Sequence, residues 1–309
     1  MISMTGCIVC GGPGEFVPVL KTLARCRACG FVTWPDAPPV DPGELYDERY
    51  FTEVDYPDYV GNEASLRRSM ARHLEQMARF WTQRGALLEI GCAYGFFLDE
   101  ARRHFDRVVG IDVSAAAVEA ARKRFGVEAH AGAFQDMPFE DASFDVVCLW
   151  DTIEHLSRPD VFLEKARRLL RPSGRLFLTT GDVSSLNARL RGPNWRQIHP
   201  PSHLHYFSRD SIARLLERAG LRVLGFETAA YHHSIHNVLA SIGLRHGAAA
   251  HLSRFTLKVV GEPLARRIGF WVDLGDIMFV AAAPSPHAGA LQQTPDHHQS
   301  TMMGMSGVR

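Results

Sequence analysis

From Ala86 to about Ala283 short apolar runs alternate with amphipathic stretches, and this alternation constrains the fold more than any other feature of the chain. The apolar runs fall at 86–90, 107–111, 127–130, 144–149, 175–180, 221–227 and 276–282. Helical periodicity lies between them, over 95–104, 114–125, 159–170 and 209–219. Strands that alternate with helices imply a parallel sheet covered on both faces. The expected fold is α/β: a doubly wound, mostly parallel sheet of seven strands. Ser208 is placed to cap the last helix and Gly220 to end it. Residues 181–207 and 228–272 are long inserts between strands, and inserts of that length commonly cover a site.

Ahead of this domain (85–284) come two other units. Residues 1–34 are short β-type pieces around two Cys-x-x-Cys pairs, closed by the breaker-rich Trp34-Pro-Asp-Ala-Pro-Pro39. Residues 35–84 form a linker rich in aromatic residues (Tyr46, Tyr50, Phe51, Tyr56, Tyr59) followed by a helix. That helix is expected over Glu63–Gln83, with Leu66, Met70, Leu74, Met77 and Trp81 on its buried face. The tail, 285–309, has no aromatic residue and is expected to be disordered.

The stretch Leu87-Leu-Glu-Ile-Gly91-Cys-Ala-Tyr-Gly95-Phe-Phe-Leu runs strand, tight turn, helix. Small residues at 91, 93 and 95 let backbone approach a ligand closely. Asp112 ends the second strand, 21 residues after Gly91, where a carboxylate can accept both ribose hydroxyls of an adenosine. A dinucleotide site competes for this pattern. Its fingerprint requires a small residue at the sixth position, and counting from Gly91 that position is Phe96.

The Glu-x-Gly-x-Ala-x-Gly spacing resembles motif I of the class I S-adenosylmethionine-dependent methyltransferases, and Asp112 matches their acidic residue at the end of strand two. Three further segments are similar to that family: His130-Ala-Gly-Ala-Phe134 after strand three, Phe144 to Leu156 through strand four, and Leu169-Leu-Arg-Pro-Ser-Gly174 before strand five. The resemblance covers roughly residues 86–283 and implies a Rossmann-like fold. It also implies S-adenosyl-L-methionine as cofactor, held by Glu89, Gly91, Cys92, Ala93, Gly95, Asp112, Val113, Ala133, Phe134 and Trp150. Ala133 stands where family members often carry Asp, so the adenine amine is left to backbone, with Phe134 as an apolar wall. As free thiols, Cys92 and Cys148 also fit small core positions.

Cys7-Ile-Val-Cys10-Gly and Cys26-Arg-Ala-Cys29-Gly are two knuckles separated by 15 residues. Four thiolates at this spacing suit tetrahedral Zn²⁺, with rubredoxin-like iron and a redox dithiol as alternatives. A site filled by four cysteines leaves no position for water, so the metal is expected to be structural. Residues 1–60 carry nine acidic and four basic residues, which disfavours nucleic acid as the ribbon's partner. The order zinc ribbon, aromatic linker, methyltransferase core resembles bacterial sugar C-methyltransferases and related small-molecule methyltransferases. That resemblance implies that the ribbon and linker wall off the acceptor pocket.

For proton removal from an acceptor the candidates are Glu154 and His155 after strand four, and His203 and His205 in the insert after strand five. His155 can also serve only to position the turn, and His203 and His205 only to brace a loop. A second metal held by His203, His205, His232, His233 and His236 lacks a carboxylate at ligand spacing in the sequence. Trp195 either stacks on an acceptor ring or pins the insert.

Composition narrows the rest. Apolar residues are 46%, charged residues 22%, and 34 basic residues balance 34 acidic ones, so no strong field favours nucleic acid or an anionic membrane. No apolar run approaches the ~20 residues of a membrane helix, and the first residues lack a secretory pattern. The expectation is a cytoplasmic enzyme that methylates the O or C of a small-molecule acceptor, a biosynthetic intermediate or activated sugar. A cofactor-binding module without turnover and an RNA methyltransferase are the rivals. The oligomeric state is left open.

Overall fold

A computed structural model describes residues 6–20, 22–38, 59–243 and 248–286. Tyr46, Tyr50, Phe51 and Tyr56 of the aromatic linker, and the tail from 287, lie outside the described residues. In chain order the elements are β1 (Phe16–Leu20), β2 (Leu23–Cys26), β3 (Val32–Thr33), α1 (Glu63–Met77), β4 (Ala86–Ile90), α2 (Phe96–Ala101), β5 (Arg107–Asp112), α3 (Ala115–Phe125), β6 (Glu128–Ala131), β7 (Phe144–Trp150), α4 (Pro159–Leu169) and β8 (Leu170–Gly181). The second half holds α5 (Leu186–Arg191), β9 (His205–Tyr206), α6 (Arg209–Arg218), β10 (Leu221–Thr228), β11 (Tyr231–Ser234), α7 (Ile235–Gly243), α8 (Ala248–Val260), α9 (Glu262–Arg267), β12 (Gly269–Val272) and β13 (Ile277–Pro284).

Seven strands form the main sheet in the order β10-β13-β8-β7-β4-β5-β6. Only β13 runs against its neighbours, between β8 and β10. The alternation of side chains along each strand builds two cores. Leu88, Ile90, Val109, Ile111, Val147 and Leu149 pack on one face, and Leu87, Val108, Val146, Cys148, Phe177 and Phe279 on the other. Ser208 does cap α6, in a reciprocal box with Ser211. No helix among the described residues is long and apolar enough to cross a membrane.

Helix α1 departs from its sequence pattern. It ends at Met77 rather than near Gln83, and it buries Ser65, Ser69, His73, Gln76 and Met77. Met77 joins the core and His73 stacks on Trp150, while the serine and glutamine of the stripe turn inward to meet backbone groups. Ser69 Oγ accepts the His232 amide at 3.0 Å, and Gln76 Nε2 donates to the Thr228 carbonyl at 3.0 Å. Leu66 and Met70 instead face a cavity described below.

Both inserts carry structure that local periodicity did not reveal. Residues 228–272 fold into the β11–β12 pair and three helices. The insert 181–207 ends in β9, which pairs with β3 of the N-terminal unit to complete a four-stranded sheet. It is fastened by Asp276, which is 1% exposed. That carboxylate accepts from Asn187 Nδ2 at 2.7 Å, Trp195 Nε1 at 2.8 Å and Arg196 at 2.8 Å. Trp195 is thus a pin for the insert, itself 3% exposed.

Asp276→Ala should destabilise the protein by about 3–5 kcal/mol in urea unfolding, because it strands a buried indole N–H, an amide and a guanidinium at once. Burial raises the Asp276 pKa, but the Trp195 bond and the Arg196 charge outweigh it and hold the carboxyl below its usual range. A depressed folded pKa stabilises above the unfolded value, about 3.9, and the benefit fades as pH falls below it. The gap between wild type and variant should therefore narrow below about pH 4.

Candidate active site

The C-terminal ends of β4, β5 and β7 meet at one edge of the sheet, the place where open α/β sheets bind ligands. A cavity of about 890 Å³ opens there. One side is built by the loop after β4. Gly91 (φ 84°) and Gly95 (φ 75°) take left-handed backbone, and Ala93 (φ 44°) does so without being glycine. A side chain at Gly91 would start 2.6 Å from Thr152 Oγ1, so only glycine fits. Asp112 organises this loop from the next strand: Oδ2 accepts the Ala93 amide at 2.8 Å and Oδ1 the Ser114 amide at 2.9 Å. Burial raises its pKa against the pull of the Ser114, Ala93 and Val113 amides.

Gly91, Ala93, Asp112, Val113, Ala133, Phe134 and Trp150 all line the cavity. Three other expected contacts sit underneath it. Cys92 is 4% exposed and points into the core, where a Cβ on Gly110 would meet its Sγ at 2.7 Å. Gly95 packs against Ala121 and allows α2 to start. Glu89 is buried, with Oε2 lacking a hydrogen-bond partner among the described residues. Burial and the nearby Asp112 charge raise its pKa well above the usual carboxylate range. Cys92 and Gly95 support the loop, whereas Glu89 offers an unsatisfied acceptor beneath it.

The Phe134 wall has an anchor the sequence did not advertise. Lys165 Nζ donates to the carbonyls of Phe134, Gln135 and Met137 at 2.7, 2.9 and 2.8 Å. Tyr59, the one linker aromatic among the described residues, also lines the cavity, 5.7 Å from the rings of Tyr94 and Phe96.

Across the cavity the turn after β7 brings Glu154 and His155 to His203 of the insert. One ligand atom from each lies within 4.8 Å of the others. The His155 and His203 rings are 4.6 Å apart and perpendicular. His155 Nδ1 is 2.9 Å from the Ser202 carbonyl and His203 Nδ1 is 2.9 Å from that of Gln197. A carbonyl only accepts, so both Nδ1 atoms carry a proton. Burial and the Asp151 charge raise the Glu154 carboxyl to about 8, and burial lowers His203 to about 3.

His205 stands apart from this group. Its Nδ1 lies 2.9 Å from Thr33 Oγ1, and its ring packs 5.5 Å from Phe31, so it joins the ribbon to the insert. Asp151 escaped the sequence reading altogether. It holds φ 46° at the end of β7, accepting from Tyr231 Oη at 2.6 Å and Thr179 Oγ1 at 2.9 Å. A non-glycine residue held there signals a constrained site edge.

The N-terminal unit closes the cavity. Ile8, Trp34, Pro35, Ala37 and Pro38 line it, carried there by the β3–β9 pairing and by the Trp34 amide on the Leu204 carbonyl at 3.0 Å. Cys7, Cys10, Cys26 and Cys29 converge, all four sulfurs within 4.8 Å. Cys7 and Cys29 are 3.6 Å apart at sulfur, and Cys10 and Cys26 are 3.8 Å apart. Thiolates around one tetrahedral Zn²⁺ at ~2.3 Å bonds stand ~3.8 Å apart, so this cluster could hold such an ion with little movement.

Known proteins match this arrangement. A family model described as a methyltransferase domain matches residues 63–225. The chain is 33% identical over 164 residues to a probable S-adenosylmethionine-dependent methyltransferase of Mycolicibacterium smegmatis, which is 53% of this chain and 60% of that protein. It is 27% identical over 146 residues to a ubiquinone biosynthesis O-methyltransferase of Chelativorans, 44% of this chain and 58% of that protein. The match thus spans less than two thirds of either relative. In three dimensions the fold is similar to a chain from the complex of the Haloferax volcanii Trm112 methyltransferase activator with a methyltransferase. The TM-score there is 0.51 at 15% identity, covering 75% of this chain and 97% of that one.

Proposed function

The chain belongs to the methyltransferase domain family, and we propose that it transfers a methyl group from S-adenosylmethionine to a hydroxyl of a small, largely apolar acceptor. The observation that carries this reading is one cavity with two chemically distinct sides. Asp112, fixed by two backbone amides, faces it beside the Gly91 turn and the Phe134 wall, and on the other side Glu154 and His155 face it from the turn after β7 and His203 from the insert.

The residues fit the cofactor. Asp112 keeps lone pairs for two ribose hydroxyls after accepting its two amides. Glu89 supplies a buried carboxylate oxygen that lacks a donor, as the cationic methionine end requires. Ile111, Val113, Ala133 and Phe134 give an apolar slot for adenine. When bound, the cofactor supplies an activated methyl carbon: an O–C bond forms at the acceptor while the S–C bond breaks and its electron pair stays on sulfur. The protein's part is to align the acceptor, exclude water and take the hydroxyl proton. Glu154, His155 and His203 are the groups in place to receive it.

Three features favour an apolar hydroxylated acceptor over an activated sugar. Ile8, Trp34, Leu66, Met70, Leu156 and Phe162 line the cavity beyond the Asp112 side. Arg158 and Arg196 also line it, but each already pairs with a carboxylate, Asp160 and Asp276, so among the described residues no lining guanidinium is left uncommitted for a pyrophosphate. The Chelativorans relative is an O-methyltransferase by name. A screen of phenolic and aliphatic hydroxyl acceptors, followed by S-adenosylhomocysteine release, tests the reading. Turnover of nucleotide sugars alone would refute it.

In this reading the four N-terminal cysteines hold a structural Zn²⁺, and the ribbon serves as one wall of the acceptor pocket. Cys26→Ser should then lower kcat/KM for the acceptor by about a hundredfold, while the affinity for S-adenosylhomocysteine, measured calorimetrically, changes by less than about twofold. Equal losses in both would mean that the ribbon supports the whole domain rather than the acceptor side.

A further inference from the structure

We propose that the outer face of the 228–272 insert, carried by α8, α9 and β12, is a docking surface for an anionic lipid bilayer. Exposure, charge and position each point to it.

Exposure comes first. Eight of the eleven large apolar side chains exposed among the described residues fall between Leu252 and Leu274. On α8 they form a stripe. Leu252, Phe255 and Val259, at spacings of three and four, are 66%, 64% and 69% exposed. The helix packs through a different side, where Ser253 is buried and its hydroxyl donates to the Leu239 carbonyl of α7. Further along the chain Ile268, Phe270 and Trp271 are about half exposed. Exposed apolar side chains scattered singly need no explanation, but their concentration in one insert marks an interaction surface.

Charge selects the occupant. The chain as a whole is neutral, yet residues 251–272 carry Arg254, Lys258, Arg266 and Arg267 against Glu262 alone. Helical spacing sets Arg254 and Lys258 along one edge of the α8 stripe. A helix with an apolar face, a basic edge and aromatic residues beside it suits the headgroup boundary of an anionic bilayer. With 13 residues α8 is shorter than the ~20 that cross one, so it lies along the surface. A second copy of the chain is the poorer occupant. A two-fold contact brings the same patch against itself, and here it would set these cations face to face.

Position ties the surface to the site. The same insert lines the cavity through His232 and His233 of β11 and His236 and Asn237 of α7. Trp271 lies opposite His232 in the β11–β12 pair, its ring 5.5 Å from the imidazole. One strand therefore separates an exposed indole from the cavity. Resting on the methyl-transfer reading above, this arrangement lets an apolar acceptor reach the cavity from lipid rather than from water.

The full-length protein, its ribbon loaded with Zn²⁺, is sedimented with vesicles of phosphatidylcholine alone or of phosphatidylcholine containing phosphatidylglycerol. Partitioning onto the anionic vesicles should exceed that onto the neutral ones by at least about tenfold, and added salt should weaken it. The double variants Leu252→Ser/Phe255→Ser and Lys258→Glu/Arg267→Glu should each lose at least about tenfold in binding to anionic vesicles. S-adenosylhomocysteine affinity within about twofold of wild type reports that each variant is folded. Absence of vesicle binding by the wild type, equal binding to both compositions, or full binding by both variants overturns the proposal. So does a dimer in vesicle-free solution that Leu252→Ser/Phe255→Ser dissociates, because the face then belongs to a second copy. Failure of S-adenosylhomocysteine to bind the wild type would instead overturn the methyl-transfer reading and leave the vesicle result standing.

Discussion

His155→Ala should lower methyl transfer by about 10²–10⁴-fold and leave the affinity for S-adenosylhomocysteine within about twofold of wild type. His155 shares the acceptor side of the cavity with Glu154 and His203, while the cofactor side is built on β4, β5 and the Phe134 turn. The ring is placed to take the hydroxyl proton, so its loss affects the chemical step and not cofactor binding. Turnover measured at saturating acceptor, with binding followed by calorimetry, checks both halves. Unchanged turnover would remove His155 from the chemistry and reduce its role to holding the Ser202 carbonyl.

Asp112→Ala should do the opposite. In the proposed reading it removes the acceptor of two ribose hydrogen bonds, worth together about 3 kcal/mol or more because the acceptor is charged. It also strands the Ala93 and Ser114 amides that the carboxylate now fixes at 2.8 and 2.9 Å. Affinity for S-adenosylhomocysteine should fall at least about a hundredfold. Asp112→Asn, which keeps one oxygen, should lose less. A variant with near-normal cofactor affinity would show that the ribose lies elsewhere.

Much of the sheet could be read from the sequence because its central strands β4, β5 and β7 are buried along almost their whole length and amphipathic helices follow them. All seven predicted runs became strands of the sheet, and β13, buried from Ile277 to Ala283, needed only its direction settled. Short strands escaped for the converse reason. β9 has two residues, and its partner β3 lies about 170 positions earlier, so nothing local marks it. β12 shows no alternation, with Phe270 and Trp271 both half exposed. The expected face of α1 does reach the core through Met77 and Trp81, with Met70 and Leu74 packed against it; what the sequence did not show is the Ser69 and Gln76 stripe beside it, whose partners are backbone groups of β10 and β11.

The site was legible where a backbone requirement leaves a mark in residue type. Gly91 and Gly95 are small because of positive φ and close neighbours. Asp112 stands out as the one carboxylate at the end of β5. What the sequence could not show was which residues meet across the insert. Glu154 and His203 are neighbours through tertiary packing alone, as are Asp151 and Tyr231, or Lys165 and the carbonyls around Phe134. Cys92 shows the limit in the other direction. It lies inside the motif that the resemblance marks as cofactor-binding, yet its side chain fills space under Gly110 and does not line the cavity.

The central claim, that the Gly91 turn and Asp112 hold S-adenosylmethionine, is tested most directly by equilibrium dialysis of the wild-type chain against methyl-labelled S-adenosylmethionine with unlabelled competitors. One label bound per chain, displaced by S-adenosylhomocysteine and indifferent to NAD⁺, is the predicted result. Absence of bound label, or its complete displacement by NAD⁺, would contradict the account.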